Sequence, residues 1–121
     1  MKIYKHRRFH RWAKSEGLSD DKLCKAVDEL LQGLHDGNLG SGLYKKRIAM
    51  PGKGKRDSYR TLLAFKHGAR AFFVYGFAKN TMANMSVKEE AVYKELAKEL
   101  LKLDEKMLSK MLEMAGLIEV K

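Results

Sequence analysis

The chain has one cysteine, Cys24, and one proline, Pro51, in 121 residues. A single cysteine excludes an intrachain disulfide and any zinc site built on several thiolates. Cys24 stands between Leu23 and Val27 in an apolar helical register, where a buried, inert thiol is the expectation. No apolar run approaches the roughly 20 residues that a membrane-spanning helix needs. Basic residues open the chain with no apolar stretch behind them, so no secretory signal is read there. The four histidines (His6, His10, His35 and His67) show no metal-ligand spacing with acids or thiols, so no metal and no cofactor are expected. These absences leave a soluble, cytoplasmic protein with no membrane partner.

Acidic residues are also missing where bases gather. Residues 1–14 carry six Lys or Arg and no acid, and residues 43–79 carry ten against Asp57 alone. The intervening residues 15–42 hold six acids and two bases, and residues 86–121 are near neutral, so two segments own the whole net charge of +10. Such an uneven distribution is an electrostatic footprint for nucleic acid. A membrane surface would need the same charge beside an exposed apolar helical face. Here the bases fall mainly on strand-like segments.

Periodicity gives the order of elements. Met1 to Tyr4 reads as a first strand, and Phe9, Trp12 and Ala13 then fall at helical spacing up to Gly17. Ser19 or Asp20 can cap a second helix whose apolar face is Leu23, Ala26, Val27, Leu30, Leu31 and Leu34. GNLGSG (residues 37–42) reads as a connector; it follows a helix and precedes a strand, the reverse of a phosphate-binding loop. Three strands follow, Leu43 to Met50, Tyr59 to Phe65 and Ala69 to Phe77, the last two joined through Lys66, His67 and Gly68. Ser86 and Glu89 form a capping box for a helix bearing Val87, Ala91, Leu96, Ala97, Leu100 and Leu101. Asp104 caps a last helix with Leu108, Met111, Leu112 and Ala115, closed by Gly116; Met107, Met111 and Met114 read as helix filler or a partner-docking face. The expectation is a single α+β domain over residues 1–121, with a small antiparallel sheet and a helical extension over about 86–117.

The basic segment carries the chemistry. Alternation on strands can hold Lys45, Arg47 and Arg60 at fixed positions, with Tyr59, Tyr75 and Phe77 nearby, an arrangement suited to an RNA backbone with unstacked bases. GKGKR (residues 52–56) lacks the spacing and hydroxyl of a nucleotide-binding loop, but Lys53, Lys55 and Arg56 can track phosphates. RNA is cleaved without metal when a 2′-hydroxyl attacks the adjacent phosphate. That reaction needs a base, fixed cations for the phosphorane and an acid for the leaving 5′-oxygen. A lysine crowded by cations can serve as base, and arginine as permanent charge and donor. Lys45, Lys46 and Arg47 beside Arg60 would supply that set; the plainer alternative is a solvated strand face.

The run YKKRIAMPGKGKRDSYRTLLAF, then RAFFVYGFAKN and a capped helix, resembles the RelE/HigB superfamily of ribosome-dependent mRNA interferase toxins, most closely its HigB-like branch. The shared pieces stand here as Arg47 to Ala49, Pro51 to Lys55, Tyr59 with Arg60, and Phe77 to Asn80. The resemblance covers Trp12 through the closing GLIEV. It implies a RelE-like fold, a small antiparallel sheet with two N-terminal helices packed on one side. It also implies mRNA in the ribosomal A site as substrate and a HigA-type helix-turn-helix antitoxin as partner, with operator DNA reached only through that antitoxin. The resemblance implies Lys45, Arg47, Arg60 and Lys79 as catalytic residues; Lys55 joins them from its place in the basic loop, and Lys45 or Lys55 is the preferred base. Lys46, Lys53, Arg56, Tyr59, Tyr75 and Phe77 would bind RNA. The first basic segment, with Lys5, Arg7, Arg8, Arg11 and Lys14, would grip ribosomal RNA. This chain departs from the family in having Arg47 where the family has a second lysine. The family's late tyrosine finds no match in the NTMANM that follows Lys79. The alternative reading is a non-catalytic RNA-binding or protein-interaction module of the same fold.

Overall fold

Strand β1 (Lys2–His6) runs directly into helix α1 (Arg7–Glu16), and His6 holds the junction. The computed structural model of the protein describes residues 1–50, 58–78 and 85–121. His6 Nδ1 accepts the backbone N–H of Arg8 at 3.2 Å, satisfying a donor that a helix start leaves orphaned. Gly17 ends α1 at φ 72°, a left-handed conformation that costs glycine little, and the N–H of Leu18 returns to Ala13 O at 2.9 Å. Ser19 caps α2 (Asp20–Leu31), whose first turn carries Asp20 and Asp21 against the positive end of the helix dipole. Leu23, Ala26, Val27 and Leu30 are buried, as their spacing predicts.

Five further strands complete the sheet: β2 (Gly37–Gly40), β3 (Leu43–Ala49), β4 (Ser58–Phe65), β5 (Arg70–Ala78) and β6 (Leu117–Glu119). Their order is β2-β3-β4-β5-β1-β6. Two helices precede β6, α3 (Val87–Leu101) and α4 (Glu105–Glu113). Helices α1 and α2 cover one face, around Phe9, Val27, Leu63 and Phe73. Helices α3 and α4 cover part of the other, around Leu43, Leu62, Phe72, Leu100 and Leu108. The sheet is therefore buried on both sides, and β4 reads as a nearly continuous buried run.

The α+β expectation holds, and the structure adds to it. GNLG is a strand and not a plain connector; it pairs with β3 through Gly37–Lys45 and Asn38–Tyr44 despite a glycine content that disfavours strands. The closing LIE adds a short edge strand beside β1. The sheet is not wholly antiparallel, because β1 lies parallel to β5. The expected docking face on the last helix is divided: Met111 packs inward on the second core, while Met107 and Met114 are exposed. Trp12 lies so close to the backbone of β5 that a Cβ on Gly76 would come within 2.3 Å of its ring. That contact fixes the strand end that carries Tyr75 and Phe77.

Candidate nucleic-acid interface

Strand register decides which bases share a face. Arg47 on β3 is the direct partner of Arg60 on β4, and Arg60 is the direct partner of Phe77 on β5. One step along, Lys45, Leu62 and Tyr75 form the next row. These six side chains make a grid on the α3 side of the sheet, cationic at β3 and aromatic at β5. Side chains directly opposite each other have Cβ atoms about 4.5–5.5 Å apart, close enough for Arg47 and Arg60 to engage one phosphate group.

A bulge makes this grid possible. Leu63 pairs with Phe73 and Leu62 with Tyr75, so Val74 is skipped. Phe73 accordingly points into the α1/α2 core, while Tyr75 joins the α3 side. An unbroken alternation would put both on one face. The bulge turns Tyr75 and Phe77 toward Arg60.

The cleft over this grid holds about 530 Å³ and is lined, among the described residues, by Asp36, Leu39, Lys45, Lys46, Arg47, Arg60, Thr61, Leu62, Phe77, Met85 and Glu90. Asp36 is tied to β3 three ways. Its N–H donates to Lys45 O at 2.9 Å, its Oδ2 accepts the Arg47 N–H at 2.7 Å, and its Oδ1 accepts Arg47 Nε at 3.1 Å. Burial alone would raise the Asp36 pKa; the hydrogen bonds from the Arg47 backbone and guanidinium outweigh it and hold the carboxyl below the usual carboxylate range. Among the described residues Arg60 forms no ion pair. Glu90, at the α3 rim, pairs with Lys94 at 3.3 Å.

The aromatic side of the cleft continues past the sheet. The Tyr75 ring lies 5.7 Å from Phe77 and 5.1 Å from Tyr93 of α3, centroid to centroid. Burial raises both tyrosine pKa values, reinforced at Tyr75 by Glu89 and at Tyr93 by Tyr75, while the charge of Arg8 works against it at Tyr93. Both phenols are thus protonated donors at neutral pH. Arg8 stands with Arg7 and Arg11 on the exposed side of α1, and the charge of Arg8 reaches Tyr93.

Three expected residues lie elsewhere. Lys46 turns to the α2 side, where its Nζ pairs with Glu29 at 3.1 Å and its side chain is buried. Tyr59 is also on that side, 6% exposed, with its ring edge-on to Trp12 and its hydroxyl donating to Glu16 O at 2.8 Å. The period of two puts each of them on the opposite face from its sequence neighbours Arg47 and Arg60. Lys5 belongs to the core, donating from Nζ to Asp20 at 2.8 Å. Tyr59 does not line the cleft, Lys46 borders it with its ammonium committed to Glu29, and Lys5 is buried with Asp20. Lys53, Lys55, Arg56 and Lys79 lie outside the described residues.

Sequence reasoning missed Asp36, Leu39, Met85, Glu90 and Tyr93. Asp36 was legible only as one of the acids of residues 15–42 and Glu90 only as part of a capped helix, and their approach to the bases depends on the β2 pairing and on α3 crossing the sheet. Among the described residues no cluster of His, Cys, Asp and Glu could hold a metal ion, and no helix is long and apolar enough to cross a membrane. The arrangement offers forked donors for phosphate and an aromatic shelf for bases. A family model described as the RelE toxin of the RelE/RelB toxin-antitoxin system matches residues 1–120. No match among curated proteins accompanies it.

Proposed function

The chain belongs to the RelE toxin family, and we propose that it stops translation by cutting mRNA on the ribosome without a metal. The observation that carries this reading is the direct opposition of Arg47 and Arg60 beside Phe77 in one open cleft, with Tyr75 in the next row of the same face. Two guanidinium groups projecting from neighbouring strands suit the non-bridging oxygens of a single phosphate. The aromatic rows beside them suit the flanking bases.

In the proposed reaction the 2′-oxygen of one nucleotide attacks the adjacent phosphorus. The O2′–P bond forms, the P–O5′ bond breaks, and the products are a 2′,3′-cyclic phosphate and a free 5′-hydroxyl. Lys45, two residues from Arg47 on the same face, or Lys55 would take the 2′-hydroxyl proton, and a protonated lysine of the same proposed set, which also includes Lys79, would give a proton to the departing 5′-oxygen. Arg47 and Arg60 would neutralise the phosphorane, a kind of contact whose loss typically lowers turnover by about 10²–10³-fold. In-line geometry would come from the ribosome, since positioning alone can lower a barrier by about 7–11 kcal/mol.

The rest of the reading follows the resemblance to the HigB-like branch. The protein would act in the cytoplasm as one domain, and a helix-turn-helix antitoxin of HigA type would neutralise it and link it to operator DNA. The test is cell-free translation with mRNA 5′ ends mapped by primer extension, alongside Arg60→Ala and ribosome-free controls. The expected result is new in-frame ends that require both ribosomes and Arg60. Folded protein that yields no new ends would leave an RNA-binding role without cleavage.

A further inference from the structure

Asp36 is a carboxylate inside a cationic cleft, where it weakens the attraction for an anionic ligand. Its geometry gives a reason for it to be there. The β2 ladder begins at Gly37, so the N–H of Arg47 has no strand residue opposite it, and Asp36 Oδ2 takes that bond at 2.7 Å. The second oxygen takes Arg47 Nε at 3.1 Å. Asp36 is itself placed by local hydrogen bonds. Its N–H bonds Lys45 O, the next N–H, that of Gly37, donates to His35 Nδ1 at 3.1 Å, and the His35 ring packs edge-on to Tyr44. One carboxylate therefore grips the backbone and the side chain of the same arginine.

Without that grip Arg47 would be poorly held. Its side chain is 48% exposed and stands directly opposite Arg60, a like charge that would push it toward solvent. With Nε committed to Asp36, the planar guanidinium keeps its two Nη nitrogens for a ligand and loses most of its rotational freedom. We propose that Asp36 is a positioning residue that aims Arg47, with Arg60, at one RNA phosphate in the cleft. The inference rests on the cleavage reading above and names a residue that reading does not use.

The proposal separates from a purely electrostatic or structural role by sign. If Asp36 only tempered the charge, Asp36→Asn would tighten RNA binding and leave turnover intact. If it aims Arg47, Asp36→Asn keeps or tightens RNA binding and lowers the cleavage rate at saturating mRNA by about tenfold or more, since a misplacement near 1 Å can cost 10²-fold. Arg47→Lys keeps the charge but has no Nε–H and no fork, so it reproduces the same loss with Asp36 intact.

The experiment measures ribosome-dependent cleavage rates, and dissociation constants for a single-stranded RNA oligonucleotide. The proteins are the parent, Asp36→Asn, Arg47→Lys, Arg47→Ala and the Asp36→Asn/Arg47→Ala double variant, each checked for folding by thermal unfolding. The expected result is a tenfold loss from Asp36→Asn that vanishes in the Arg47→Ala background. Full activity in Asp36→Asn, or an equal loss in both backgrounds, overturns the proposal while leaving the cleavage reading standing. If the parent itself does not cleave, the cleavage reading fails, and the binding constants decide alone. An effect of Asp36→Asn on RNA affinity that changes when Arg47 is absent supports positioning, and an identical effect in both backgrounds overturns it. Should Asp36→Asn not fold, Arg47→Lys carries the test, and parent-like turnover in that variant overturns the proposal.

Discussion

Arg47 and Arg60 are direct partners across the β3–β4 ladder, so two permanent positive charges leave the sheet from the same level on the same face. Like charges in that relation destabilise a sheet by about 0.2–1 kcal/mol. Only Arg47 has a carboxylate to offset it among the described residues. A protein selected for stability alone would place another residue at position 60. Arg60→Gln is therefore expected to leave the unfolding free energy unchanged or raised by up to about 1 kcal/mol, while weakening RNA binding. Removing one phosphate contact on a single strand should flatten the plot of log affinity against log salt by about 0.7. Denaturant unfolding and RNA titrations at several salt concentrations check both halves. A destabilised variant with an unchanged salt slope would mean that Arg60 is structural.

How far the cleft was legible in the sequence follows from the same register. The runs of residues 43–50, 59–65 and 69–77 show three strands, and the density of bases marks the segment as the working one. Period-two alternation allows Arg47 and Arg60 to lie on faces but does not say that the faces coincide; that requires the β3–β4 register. The bulge at Val74 has no sequence signal, yet it decides that Tyr75 and not Phe73 shares the face of the cleft. Lys46 and Tyr59 look like ligand residues from their basic and aromatic surroundings, and parity sends both to the opposite face. Lys5 reads as part of a basic surface because its partner, Asp20, is 15 residues away and meets it only when folding brings the start of α2 beside it. Strand β2 was hidden because backbone pairing with the β3 edge, and not side-chain preference, makes it a strand.

Gly76 is the clearest case of a small residue required by a large one. A Cβ there would lie 2.3 Å from Trp12 Cζ3 and 2.5 Å from Cε3, well inside any real contact. Gly76→Ala should cost about 1–3 kcal/mol, the usual range for overpacking a well-filled core. In a Trp12→Ala background the same change should cost far less, because the clashing ring is gone. A double-mutant cycle by chemical denaturation measures the difference, and equal costs in both backgrounds would show that the strand, not the ring, forbids a side chain.

His6 links pH to the start of α1. Burial first, and then the charges of Arg8 and Arg7, lower its pKa below 6.5. A group whose folded pKa is depressed contributes stability that is present above its unfolded pKa and is lost as pH falls through the folded value. The physical event is a change of role, since a proton on Nδ1 turns the acceptor of the Arg8 N–H into a donor. Stability should therefore decline below about pH 6.5, by roughly 1 kcal/mol for the lost cap. His6→Asn keeps an acceptor and cannot titrate, so part of that slope should disappear. His10, depressed mainly by burial with help from Lys5 and Lys14, should supply the remainder. An identical pH profile in His6→Asn would assign the whole effect to His10.

The exposed arginines of α1 offer a test of how the cleft reaches its substrate. Arg7, Arg8 and Arg11 are on the surface, and no described acid pairs with them. Arg8 also lies close enough to Tyr93 for its charge to act on the phenol. In the proposed reading these exposed bases would hold ribosomal RNA while mRNA occupies the cleft at the rim of α3. Replacing all three with Glu should leave the melting temperature nearly unchanged, because none is buried. It should also weaken co-sedimentation with ribosomes and reduce the salt slope of that association by about two. Cleavage should fall with occupancy and recover at high protein concentration, unlike the loss expected from Arg60→Ala. If the triple variant sediments with ribosomes as the parent does, these arginines have no part in docking, and the cationic grid of β3 and β4 must account for the whole attraction.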